Sequence, residues 1–152
     1  MLRTRIYRMA SLVMVFTAIL GLALPASADD HPVPFRGLAV LVINSSVPDG
    51  LHLTVTGEGN ATHLGRFTHA ENAVVYPDGT IQSTVVWTAA NGDELFFSDV
   101  AQFTSPTTSV GTYTVTGGTG RFGNASGTID FQAVVASDGI HVAIAYKGTI
   151  RF

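Results

Sequence analysis

The chain contains no cysteine. That excludes disulfides, thiolate metal centres and a cysteine nucleophile, so the fold must be held by its core alone. It is short of charge: Asp, Glu, Lys and Arg make up 12% of 152 residues, roughly half the usual share of about 25%. Cations are scarcest. Lys147 is the only lysine, and three of the eight Lys and Arg residues (Arg3, Arg5 and Arg8) lie in the first eight positions, leaving five cations against eleven acids. An acidic body argues against nucleic acid and against anionic membrane surfaces as partners. Beyond residue 24 no stretch has apolar residues at helical spacing over three turns, so helical folds are excluded. The devices that need a helix are missing as well. There is no G-x-S-x-G elbow for a nucleophilic serine, and no lysine–hydroxyl pair to make a phosphate loop.

The first segment reads as an address. Residues 1–8 are basic, residues 12–24 are apolar, and Pro25-Ala26-Ser27-Ala28 ends in a small-x-small cleavage signal. Together these make residues 1–28 a secretory signal peptide. The apolar run is shorter than the roughly 20 residues a spanning helix needs, so no membrane insertion is expected after cleavage. The mature chain, 29–152, has the size of one domain, secreted or periplasmic. N-terminal sequencing of the exported protein is expected to return Asp29 first. A leader retained in a membrane fraction would overturn the assignment.

The rest reads as strands. Asp29-Asp30-His31-Pro32-Val33-Pro34 predicts an extended, unpaired arm. Strands are expected at 35–43 and 51–57, with a turn at 44–50 between them and a tight turn or bulge at Glu58-Gly59-Asn60. A third runs from about 61 to 71, or on to 76. Pro77-Asp78-Gly79 and Asn91-Gly92 are hairpin signals that bracket a fourth strand at 80–88. A fifth (93–104), sixth (110–116), seventh (127–136) and eighth (140–151) follow. Eight strands on short loops suggest a barrel or sandwich, and closure removes exposed edges. The expected fold is therefore all-β, an eight-stranded antiparallel β-barrel, whose interior side chains can fill or which can hold one small ligand.

Between the sixth and seventh strands runs V-T-G-G-T-G-R-F-G-N-A-S-G, residues 115–127, with five glycines around Arg121 and Phe122. This predicts a compact crossover that tucks Phe122 under a barrel end. The pattern T-G-G-T-G-R-F-x-x-A-x-G at 116–127 resembles the G-G-[ST]-G-x-F segment of plant allene oxide cyclases and dirigent proteins, and of secreted bacterial proteins of unassigned function. The resemblance implies an eight-stranded antiparallel barrel, frequently trimeric. For the plant members it implies cofactor-free chemistry guided by the shape of a barrel cavity. It assigns no catalytic residue here.

Among chemistry-bearing residues, His52, His63, His69 and His141 do not form a metal site. His63 and His69 share a strand parity but are separated by about 20 Å at ~3.3 Å per residue. Surface histidines are the expectation, and no metal or cofactor is predicted. Asp99 has the parity of Leu95, Phe97, Ala101 and Phe103, the apolar side of the fifth strand. An acid there is costly unless paired or protonated, which makes it a site candidate; the alternatives are a bulge that turns it to solvent, or a structural pair with Arg66 or Arg121. Trp87 belongs to the apolar side of the neighbouring strand. The candidate ligand-binding residues are thus Trp87, Phe97, Asp99 and Phe103. Glu58, His63, Glu71, Tyr76 and Tyr113 could line a barrel mouth. Three functions fit: an exported barrel binding a small hydrophobic molecule, a cofactor-free cyclase, isomerase or stereo-directing protein, or a structural barrel with a filled interior that assembles with itself, for instance as a trimer.

Overall fold

The structure, a computed structural model, describes residues 31–46 and 52–152. The leader, its cleavage site, Asp29, Asp30, the 47–50 portion of the first turn and Leu51 of the second strand lie outside the described residues. Eight strands follow in order: β1 (Val33–Ser46), β2 (His52–Ala61), β3 (Gly65–Val75), β4 (Thr80–Ala89), β5 (Glu94–Ser105), β6 (Thr108–Gly118), β7 (Ser126–Val135) and β8 (His141–Arg151). Each pairs antiparallel with the next, and β8 pairs back onto β1, from Val33↔Ile150 to Val42↔His141, so the sheet closes into a barrel.

Two sequence expectations are corrected by this pairing. Val33 and Pro34 are not a free arm but pair with Ile150 and Thr149 of β8. Glu58-Gly59-Asn60 is not a turn. It lies inside β2, opposite Thr68, Phe67 and Arg66, and the chain reverses at Thr62-His63-Leu64 instead. Gly59 has a packing role: a Cβ there would lie 2.4 Å from the Phe67 ring. Gly37 likewise makes room for Tyr146, whose ring would meet a Cβ at 2.6 Å. Both glycines are holes in the barrel wall that receive rings.

These rings fill one half of the interior. Trp87 packs against Phe67 and Phe97 with centroids 4.6 and 4.4 Å away, and against Tyr146 at 5.0 Å. Phe35 stacks on Trp87 from beyond, at 6.1 Å. The crossover closes this end. A single 3₁₀ turn, Gly120–Phe122, drives Phe122 to complete burial, edge-on to Phe152 at 5.2 Å and beneath the Arg121 guanidinium at 4.6 Å. The opposite end carries the β3–β4, β5–β6 and β7–β8 turns. There small inward residues, Ala73, Ala101, Ser109 and Ala133, stand among aliphatic ones, and the interior is not filled.

Candidate functional site

Strand alternation decides which side chains enter the barrel, and the ladders decide which of them meet. On β5, Phe97, Asp99 and Ala101 point inward and are buried. Ser83 of β4 and Tyr113 of β6 stand directly opposite Asp99 on either side, and both are inward and buried. On β3 the inward row is Phe67, His69, Glu71 and Ala73, with His69 opposite Trp87 and Glu71 opposite Val85.

In the unfilled half lies a cavity of about 90 Å³, partly open to solvent. Its walls are mostly aliphatic and come from every strand. Its polar groups are Glu71, Asp99, Ser109 and Tyr113, and among the described residues no lysine or arginine lines it. A cavity of about 150 Å³ holds benzene, so this one admits a narrow chain or part of a ring, with the rest of an occupant at the mouth.

Asp99 is 4% exposed and is neither turned to solvent nor paired with an arginine. The Ser83 hydroxyl donates to its Oδ1. Burial pushes its carboxyl up to about 7, the Glu71 charge pushes the same way, and hydrogen bonding from Ser83 opposes them. Tyr113 is raised well above the usual phenol value, chiefly by burial and then by Glu71 and Asp99.

A second polar chain lies behind the cavity. The Trp87 indole Nε1–H donates to His69 Nδ1 at 2.8 Å, and His69 Nε2 lies 2.9 Å from Glu71 Oε2. Since Nδ1 accepts, the ring hydrogen sits on Nε2 and is donated to Glu71. His69 is thus 2% exposed, not the surface histidine expected, and it is the polar residue that sequence reasoning missed. The one available signal was its even spacing with Phe67 and Glu71. His52, His63 and His141 are exposed, and His63 sits in the β2–β3 turn with φ 65°. Among the described residues no group of three His, Asp or Glu side chains converges as a metal site would.

The four candidate binding residues separate by depth. Asp99 and Phe103 line the cavity. Trp87 and Phe97 belong to the packed aromatic layer beneath it. Of the five residues proposed for the mouth, Glu71 and Tyr113 line the cavity, whereas Glu58, His63 and Tyr76 are on the exterior.

No protein-family model matches the chain, and no curated protein is similar to it in sequence. Its fold does have solved counterparts. The pterocarpan synthase dirigent protein GePTS1 superposes with a TM-score of 0.55 at 12% identity, covering 80% of this chain and 86% of that one. The pterocarpan synthase dirigent protein PsPTS1 gives 0.53 at 11% identity, covering 80% and 94%. The chain has the dirigent-like β-barrel fold. In this dirigent-like barrel the glycine-rich segment that carried the resemblance is the plug of the filled end, remote from the polar cavity.

Proposed function

We propose that this is an exported dirigent-like barrel that takes a small, mostly apolar molecule into its cavity, polar end first, with Asp99 as the orienting contact. The observation that carries the reading is the cavity itself: a partly open, largely aliphatic space with one buried acid on its wall and, among the described residues, no compensating cation. A filled structural barrel has no use for such an acid, which only costs stability, and convergent polar groups in an apolar pocket are the usual makings of a ligand site. Self-association, expected from the resemblance, is compatible with an occupant entering at the rim.

A second reading, a cofactor-free cyclase or isomerase, gains support from one observation. A carboxyl held near 7 exchanges protons readily at neutral pH, as a general acid or base should. The similar solved barrels are pterocarpan synthases by description, and a cavity that orients a substrate beside such a group could guide ring closure by position alone.

Trp87 reports on the cavity through its bond to His69, which in turn holds Glu71. Terpenoids, phenolics and fatty alcohols and acids titrated into the wild type are expected to give a saturable change in Trp87 fluorescence for at least one class. Asp99→Asn should weaken that binding. Turnover, if present, should follow a pH profile with an apparent pKa near 7 that Asp99→Asn removes. A panel without saturation, or binding untouched by Asp99→Asn, returns the protein to the structural class.

A further inference from the structure

The Trp87–His69–Glu71 chain has no place in a simple apolar pocket. Trp87 is 1% and His69 2% exposed, and the histidine bridges the packed layer to the cavity wall. An indole N–H can only donate. By pointing at Nδ1 it denies that nitrogen a hydrogen and fixes the ring with its N–H at Nε2, facing Glu71 Oε2. The Nε2–H is thereby a donor dedicated to the Glu71 carboxylate. Asp99, on the other side of the same space, faces Ser83 and has no ring donor. Burial and then the Glu71 charge press Asp99 toward its neutral form. The remaining ionisable neighbour, Tyr113, is an uncharged phenol raised chiefly by burial and then by both acids.

We propose that His69 is a positioning residue which, locked by Trp87, holds Glu71 as the fixed anion of the cavity, so that the cavity selects neutral molecules bearing a hydrogen-bond donor and rejects carboxylates. The inference rests on the binding reading above and names its ligand class. A neutral hydroxyl can donate to the Glu71 oxygen not engaged by His69 and accept from Asp99. A carboxylate brings a second anion into a space where, among the described residues, no cation stands on the walls, and like charges forced together in a site lower affinity.

Two measurements test it. Long-range ¹⁵N correlation of the unliganded wild type at neutral pH is expected to show the His69 ring with its hydrogen on Nε2 and none on Nδ1; a ring with hydrogen on Nδ1 overturns the lock. Decanol and decanoic acid, titrated at about pH 6 with Trp87 fluorescence or calorimetry, are expected to differ at least about tenfold in favour of the alcohol. His69→Gln, whose amide can accept from Trp87 and donate to Glu71, should keep that preference, while His69→Leu should lose most of it. Glu71→Gln should admit decanoate. Equal affinities, or a preference for decanoate, overturn the selectivity but leave cavity binding standing. Binding of neither probe overturns the selectivity together with the binding reading, and the ring-nitrogen spectrum then decides whether the lock on Glu71 stands by itself.

Discussion

Phe122→Ala is expected to destabilise the barrel by about 3–5 kcal/mol, the cost of truncating a large, fully buried aromatic. Phe122 is 0% exposed and fills the end of the barrel against Phe152. Its place is dictated by its own backbone: its N–H bonds the Thr119 carbonyl at 2.9 Å, and its carbonyl accepts the Ala125 N–H at 2.9 Å. Those bonds turn the crossover inward and would hold it over the gap, so the void cannot simply collapse. Chemical denaturation of the two proteins measures the difference. A loss below about 1 kcal/mol, the range of surface changes, would mean that the crossover does not plug the barrel. The cavity at the other end should be untouched, so ligand binding by the folded variant should persist.

Asp99→Asn is expected to stabilise the protein, and to do so only away from acid pH. The Asp99 carboxyl moves from 3.8 to about 7 on folding, which corresponds to about 4 kcal/mol between its charge states. Below about pH 4 the group is protonated in folded and unfolded chains alike, and it costs nothing. Between about pH 4 and 7 the unfolded chain has released a proton that the folded chain still holds, so stability falls as pH rises. Above about pH 7 both are ionised and the full penalty is present. Asparagine carries no such penalty and can still accept from Ser83. The gain should therefore be near zero at about pH 4 and approach about 4 kcal/mol at about pH 8, read from urea unfolding at each pH. A gain that does not vary with pH would place the carboxyl in solvent. Paired with the loss of binding expected of the same variant, this result would mark Asp99 as a residue retained against stability, the pattern of a functional site.

The strands were legible because a half-buried strand alternates. Leu95, Phe97, Ala101 and Phe103 told which side of β5 faces inward, and put Asp99 there with them. Pro77-Asp78-Gly79 and Asn91-Gly92 marked two reversals because turns need those residues. Glycine was ambiguous for the same local reason: Gly59 satisfies a turn, a bulge or a ring-sized hole equally well in one dimension, and only the Phe67 ring across the ladder shows which. Parity fixes a direction, and it does not fix depth or neighbours. That Trp87 and Phe97 lie in a packed layer while Asp99 and Phe103 line a cavity depends on how far along the barrel axis each falls, which the register of all eight strands sets together. His69 reaches Trp87 18 positions away because β3 and β4 pair in that register, and Asp99 feels Glu71 because closure brings β3 and β5 around one space. The sequence by itself determined an acidic, cysteine-free chain of eight strands with an acid on an inward face. The division into a filled half and an open half, and the placing of buried Asp99 and partly buried Glu71 around one space with a locked histidine on Glu71, were decided only in three dimensions, because they are contacts between strands whose spacing along the chain carries no trace of the distance between them.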